Sequence, residues 1–459
     1  MSRRRLLGRG AAGAALTIVP SSVLAAKRKK RGKPAPLPPG ERLNIAGIGL
    51  GACGLGNLEK CIGHNVVALC DVDWGLSAVA MKRFGKAAKY RDFRKMLDRE
   101  KSIDAVVVAT PDHTHAVITA EVMRRGKHVY TEMPLAHDVW EVRQLVKIAA
   151  ETGVTTQMGN ERHSGPTIRR ACEMVWGGGL GPIRNIHCWT NRPLWPQGNV
   201  KTGTPVAATE DLAWDLWLGP APKRSYSPAY HPYRWRGWVD FGTGALGAMG
   251  CHVMDGPFWA MKLAEAASFS VQAESTGLGA GTYPAASTVR YRFPARGQAP
   301  PLTIIWYDGG RRCPLPKGFP NVRGLGSNGS IFIGEKCSMT FGGITAGTHA
   351  GQAGPRTIPE FANVTPVNKS FKRIPPVRDR YGWQTGSRHI QEWLTACQAR
   401  KQPCSSFDQA GPLTEMVLLG NVALQAGKPI TWDCKAMKVT NAPNANAFIR
   451  REYRPGWTL

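Results

Sequence analysis

The stretch Leu43 to Asn57, LNIAGIGLGACGLGN, constrains this chain more than any other. Leu43, Ile45 and Ile48 make a short apolar run suited to a buried parallel strand. Gly49, Gly51 and Gly54 follow with G-x-G-x-x-G spacing at a strand-to-helix turn. The first glycine permits the turn, the second lets backbone approach a pyrophosphate, and the third lets the helix pack closely, so that its N-terminus faces phosphate charge. In a chain with 52 glycines the spacing alone discriminates weakly against a plain glycine-rich turn. The next segment strengthens it. A second apolar strand, 65–70, ends at Asp71, about 20 residues past the first glycine, where an acid that binds the adenosine ribose is expected.

The 459 residues are enough for two or more cores, and 42% hydrophobic with 20% charged residues is ordinary for a globular chain. The net charge of +28 invites a nucleic-acid reading, but residues 1–42 hold eleven Lys and Arg against one Glu, and the rest of the charge is dispersed. No dense basic run with interleaved aromatics, zinc-finger spacing or RNP-like segment follows, so nucleic acid is not an expected partner. A basic surface still favours anionic ligands or envelope polymers. At the start, Ser2 to Leu7, SRRRLL, resembles a twin-arginine export motif. The segment to Leu24 is small and apolar, and Val23 and Ala25 suit cleavage. That segment is too short and glycine-rich for a stable membrane span, so residues 1–26 read as a signal peptide and the mature chain as periplasmic or envelope-located. A disordered basic tail is the plainer alternative. The eleven cysteines are scattered without a C-x-x-C pair, which gives no disulfide framework and no metal site; most read as buried small hydrophobes.

Residues 27–41 form a basic, proline-rich linker. From 42 to 165, strands at 105–109, 129–131 and 154–158 alternate with helices at 76–84, 115–125 and 139–152, which predicts a Rossmann-type doubly wound parallel sheet. From 166 to 459 the texture changes. Strands at 186–191, 269–275, 288–293, 302–307 and 331–333 alternate apolar with polar residues, as an open-faced, mainly antiparallel sheet does. Residues 342–380, rich in Gly and Pro, read as a long surface loop, and helices at 389–399 and 411–426 precede an extended tail. The fold class is therefore α/β followed by α+β.

Several segments together resemble the Gfo/Idh/MocA oxidoreductase family: GIGLGACG, CDVD ending at Asp73, ATPDHTHA (109–116), TEMP (131–134) and GALGAMGCHVMD (244–255). NRPLWPQG, WDLWLGPAP and YHPYRWRGW are similar to a twin-arginine-exported envelope branch. The resemblance implies a Rossmann domain joined to an open-faced β-sheet domain, and oxidation or reduction of sugars; the open sheet is a possible surface for pairing of copies, which the sequence leaves open. It places Gly49, Gly51, Gly54, Asp71, Thr110, Pro111, His115, Glu132 and Pro134 at the dinucleotide, and His163, Arg192, Trp195, His231, Arg234 and Trp235 around the substrate. The Asp71 charge would repel a 2′-phosphate, favouring NAD over NADP.

Two departures accompany the matches. Where the family carries a lysine beside the nicotinamide this chain has Met133, and where it carries an aspartate four residues before the catalytic histidine it has Ala248; His252 remains. Alcohol oxidation needs a donor or cation near the developing alkoxide, and Met133 supplies neither. An arginine could supply the charge, among Arg192, Arg234 and Arg236. Trp189, Trp195, Trp235 and Trp238 suit either sugar stacking or a domain core. The leading expectation is an exported NAD-binding sugar oxidoreductase with an altered site. An NAD-dependent glycoside hydrolase and a catalytically silent carbohydrate- or nucleotide-binding protein are its rivals.

Overall fold

Six parallel strands, β1 (Asn44–Ile48), β2 (Asn65–Cys70), β3 (Ala88–Tyr90), β4 (Ala105–Val108), β5 (His128–Thr131) and β6 (Thr156–Met158), form one sheet in the order β3-β2-β1-β4-β5-β6. They belong to a computed structural model that describes residues 42–315, 326–341, 356–358 and 387–459. The expected signal segment and linker, 1–41, lie outside those residues. The helices α1 (Ala52–Glu59), α2 (Trp74–Arg83), α3 (Phe93–Arg99), α4 (Asp112–Arg124) and α5 (Val139–Thr152) connect the strands. Alternate residues of β1 and β4 feed two cores, Ala46, Ile48, Val106 and Val108 one of them, Ile45, Ala105 and Val107 the other. Burial on both faces explains why these strands read as continuous apolar runs.

The second sheet contains β7 (Ile183–Thr190), β8 (Ser268–Ser275), β9 (Ser287–Phe293), β10 (Leu302–Tyr307), β11 (Asn328–Gly334), β12 (Ser338–Phe341), β13 (Arg356–Ile358), β14 (Ile430–Asp433) and β15 (Lys438–Val439), in the order β13-β12-β11-β7-β10-β9-β8-β14-β15. It is mixed rather than purely antiparallel, because β10 runs parallel to β7. One face buries Val289, Tyr291, Ile304 and Trp306; the alternate residues Arg290 and Arg292 reach Glu274 and Gln272 across the strand pair. The later helices are α6 (Pro166–Trp176), α7 (Trp214–Leu218), α8 (Gly244–Val253), α9 (Asp255–Ala260), α10 (Ser387–Ala399) and α11 (Phe407–Ala426), of which α6, α8 and α11 pack on this sheet. α10 returns to the first sheet, where Ile390, Trp393 and Leu394 join the core of Ile45 and Val107.

Where the sequence reading and the structure differ, local chemistry gives the reason. The helix expected from His115 starts at Asp112, because Pro111, at φ −60° and ψ 149°, sets the cap and has no amide hydrogen to lose. β3, α3 and α6 were not anticipated. The glycine-rich run 244–253, which carries no helical periodicity, is nonetheless α8, held by close packing of Gly250 on Val417 of α11. Of the stretch 342–380, all but 356–358 lies outside the described residues, and those three form an edge strand rather than loop. All eleven cysteines are free, most of them buried.

The chain's end ties the two sheets together. Arg451 donates to Glu141 Oε1 through Nη2 at 2.7 Å and Nε at 3.0 Å, and to the His113 carbonyl at 2.5 Å. Tyr453 adds a hydroxyl donor to Glu141 Oε1 at 2.6 Å. Glu141 is fully buried and forms the α5 capping box with Asp138. Removing one partner of a buried pair leaves an uncompensated charge. Arg451→Met, which keeps the bulk, should therefore cost about 3–5 kcal/mol in urea unfolding. A loss below about 1 kcal/mol would place the tail's anchorage elsewhere.

Candidate functional site

The turn after β1 behaves as its glycines demand. Gly49 sits at φ +81°, and a Cβ there would meet the Ala109 carbonyl at 2.7 Å. A Cβ at Gly54 would collide with the Gly49 carbonyl oxygen, so that glycine fixes how close α1 lies to β1. Gly51 caps α1, and a Cβ there would meet nothing within 4 Å. No side chain caps this helix end and no acid lies in its first turn, so its free N–H groups face open space suited to an anion. The turn lies where β1 stands between β2 and β4, the point at which strand order reverses.

Asp71 follows β2. Its Oδ2 accepts from Leu50 N at 2.6 Å and its Oδ1 from Asp73 N at 2.8 Å, so the carboxylate holds the glycine turn as well as facing the cleft. Burial pushes its pKa up to about 6, against the lowering effect of those amide donors. At the end of β4, Thr110 and Pro111 line the same cleft, and His115 braces it from below, with Nε2 2.8 Å from the Thr110 carbonyl and Nδ1 2.8 Å from that of Pro134. Glu132 also borders it, with Oε1 accepting from Asn57 Nδ2 at 2.6 Å, and burial raises its pKa.

The cleft measures about 610 Å³, and its opposite wall comes from residues after 190. Val72 and Trp74 exchange backbone bonds with Ala213 and Asp211, and His231 Nε2 lies 2.8 Å from Asp73 Oδ2. Trp195, His231 and Trp235 line the cleft as the sequence led us to expect, and so do Met133, Ala248 and His252. His252, on α8, has a buried Nδ1 with no hydrogen-bond partner among the described residues. Burial and then the nearby Arg162 charge press its pKa down to about 4, so the ring is neutral at ordinary pH.

Three expected substrate residues are elsewhere, and so is Pro134, whose ring does not reach the cleft although its carbonyl holds His115. His163 is buried behind the site, its Nδ1 2.9 Å from Asp255 Oδ1 and its ring stacked 4.2 Å from Trp259; burial opposes the charge, but Asp255 carries the pKa up to about 10. Arg192 turns to Asn191, and Arg234 is exposed to solvent. The neighbour two residues on, Arg236, enters the cleft instead. A one-turn 3-10 segment, Arg234–Gly237, sends alternate residues in opposite directions, a choice that sequence spacing does not encode. Tyr233, just before it, is a cleft residue held at φ +63°, a strained conformation of the kind that gathers at functional sites. Among the tryptophans, Trp238 is core and donates to the Ala229 carbonyl, while Trp189 packs with Tyr307 and Ile331.

Family comparison agrees with this geometry. Residues 43–160 match the model described as an oxidoreductase family, NAD-binding Rossmann fold, and residues 188–293 match its C-terminal alpha/beta domain. The chain belongs to the Gfo/Idh/MocA oxidoreductase family. It is 28% identical over 175 residues to the 4-carboxy-2-hydroxymuconate-6-semialdehyde dehydrogenase of Sphingobium sp., a match covering 38% of this chain and 55% of that one. It is 29% identical over 155 residues to glycosyl hydrolase family 109 protein 1 of Shewanella sp., covering 31% and 34%. The chain thus matches about half, or less, of the length of these curated relatives. In fold it is similar to GenD2 from gentamicin A biosynthesis, solved with NAD, at a TM-score of 0.57 and 20% identity, over 87% of this chain and 99% of that one. The uncapped α1 N-terminus, the open space over Gly51 and the Asp71 carboxylate fit a dinucleotide.

Gly51 and Gly54 separate binding from folding. Gly51→Val should fold normally and lose NAD affinity by about 100-fold or more, because the new side chain fills the space over the helix end, whereas Gly54→Val should fail to fold. Titration calorimetry with circular dichroism checks both, and undiminished NAD binding by folded Gly51→Val would overturn the placement. The pH dependence follows from Asp71. Ribose hydroxyls donate to the ionised carboxylate, so NAD affinity should fall as pH drops through about 6, and Asp71→Asn should flatten that limb.

Proposed function

We propose that this chain is an exported, NAD-dependent oxidoreductase acting on a sugar or sugar derivative, with an altered catalytic constellation. The observation that carries the reading is the single cleft in which the Gly49–Gly51 turn and Asp71 share a wall with His252, Trp195 and Trp235. Bound there, a nicotinamide dinucleotide would supply the acceptor for the hydride that leaves a carbinol carbon. The chain supplies the rest. His252, neutral above about pH 4, offers a lone pair to the hydroxyl proton, though a weakly basic one. Trp195 and Trp235 present ring faces suited to a pyranose. Met133 and Ala248 contribute no charge, so these two cleft positions supply neither the cation nor the acid that would help stabilise an alkoxide. Export rests on the Ser2–Leu7 motif, SRRRLL; replacing Arg3 and Arg4 by Lys and following the precursor between cell fractions tests it.

A second reading has a specific support in the glycosyl hydrolase family 109 relatives. In it the dinucleotide stays bound and is regenerated, and the net reaction is glycoside cleavage. Absorbance of released reduced nicotinamide distinguishes the two, because only the oxidoreductase accumulates it.

The altered site gives a direct experiment. Met133→Lys with Ala248→Asp restores a cation and an acid to a cleft that holds His252, so the double variant should reduce NAD with a panel of sugars about 10²–10³-fold faster than the parent. Each single change should gain less, since a lone charge lacks its partner. A parent already as fast as the double variant, and dependent on His252, would show that the native residues suffice. A parent that binds no NAD would remove the oxidoreductase reading.

A further inference from the structure

The cleft contains a conspicuous electrostatic imbalance: of its two lining arginines neither meets a carboxylate among the described residues, but Arg91 donates to the Val72, Asp211 and Glu210 carbonyls, whereas Arg236 is far less engaged. The cleft's acidic residues all have partners within the protein: Asp71 holds Leu50 and Asp73 amides, Asp73 meets His231, Asp92 meets Arg94, Asp112 accepts from Thr243, and Glu132 accepts from Asn57. Arg236 has none of them. Among the described residues no carboxylate comes within ion-pair distance of its guanidinium, whose hydrogen bond is from Nη1 to the Tyr233 carbonyl at 3.2 Å. The group is half-buried, and its removal from water disfavours the charge, with Asp112 the foremost of several weaker opposing effects.

The guanidinium is nonetheless held firmly. Its central carbon lies 4.2 Å from the Trp235 ring centroid, 4.5 Å from that of Tyr233 and 6.0 Å from that of Trp195. Stacking of this kind engages the faces of a planar cation and leaves its edge N–H groups free to form a two-pronged pair with a carboxylate. The strained Tyr233 backbone supplies both the carbonyl and one of the rings, so local strain maintains the arrangement. A cation placed this way among sugar-stacking aromatics, without an internal counter-ion, is half of an ion pair.

We infer that Arg236 recognises a carboxylate on the substrate, so that the sugar derivative taken by this cleft is an acidic one of the uronate class, its ring against Trp195 or Trp235. This rests on the oxidoreductase reading for the placement of substrate, and the carboxylate is not the reacting group. The cofactor pyrophosphate is the other anion that could reach Arg236, but the free N–H groups of α1 already serve it.

The test uses full-length protein loaded with NAD, and isothermal titration with D-glucuronate, D-galacturonate, their methyl esters, and D-glucose and D-galactose. In the parent at least one uronate should bind about 10–100-fold more tightly than its ester and its neutral counterpart. Arg236→Gln should erase that preference and leave NAD affinity within about twofold, and Arg236→Lys should recover part of it, since lysine keeps the charge but not the fork. The comparison of acid with ester in the parent requires no variant, so a misfolded Arg236→Gln would not protect the idea. Equal affinity for acids and esters, or no uronate binding at all, overturns it. A loss of NAD affinity in folded Arg236→Gln also overturns it, by assigning the arginine to the pyrophosphate. Failure of the parent to bind NAD would instead strike the oxidoreductase reading itself.

Discussion

The approach of α1 to β1 governs the site. Gly54 packs so closely on the Gly49 carbonyl that no side chain fits between them, and Gly49 in turn lies against the Ala109 backbone at the end of β4. Three backbone segments are thereby fixed relative to one another at the strand-order reversal. From this follow the direction of the α1 N-terminus, the open space over Gly51, and the position of Leu50, whose amide anchors the Asp71 carboxylate. A dinucleotide site of this kind is a consequence of backbone packing before any side chain chooses a ligand.

Everything on the far wall is borrowed from later in the chain and must be held in place against the first sheet. Aromatic packing does part of this: His113, on α4, has its ring nitrogens directed at the Phe241 and Trp217 carbonyls and its ring against both aromatic side chains. Its pKa is driven to about 3 by burial, so the ring is a neutral spacer and not a proton carrier. The terminal segment does another part, through Arg451 on Glu141 and Arg454 on the Gly219 carbonyl. Trp457, near the chain's end, lines the cleft beside Phe93 and under Arg94. The cleft is therefore built by segments separated by several hundred residues, which explains why so much buried polar structure is invested far from the chemistry.

The electrostatics of the cleft show a division of labour. Asp71 and Asp112 are satisfied by backbone amides or a hydroxyl and Asp73 by His231, while Asp92 pairs with Arg94. At the other end the His252 ring is kept neutral by burial and by the field of Arg162. A neutral ring and an arginine among aromatic faces make up this end of the cleft, and any chemistry here has to work through them.

The sequence by itself determined the dinucleotide half. Gly49, Gly51, Gly54 and Asp71 were legible because a phosphate cradle requires particular backbone freedom at fixed spacing, and local spacing is what a sequence records directly. The parallel sheet and the long strands of the second sheet were legible for a similar reason, since periodicity reports which faces are buried. Short elements were not: β3 and α3 span few residues, and α8 hides its helix in a run of glycines whose stability comes from α11. The far wall of the cleft was decided only by tertiary structure. Nothing in YHPYRWRGW tells Arg234 from Arg236, yet the 3-10 turn sends one to solvent and the other into the cleft. His163 looks like a site histidine until Asp255, from a distant helix, is seen to hold it in the core. Side-chain direction in irregular segments depends on contacts made from elsewhere in the chain, and those exist only once the fold has formed.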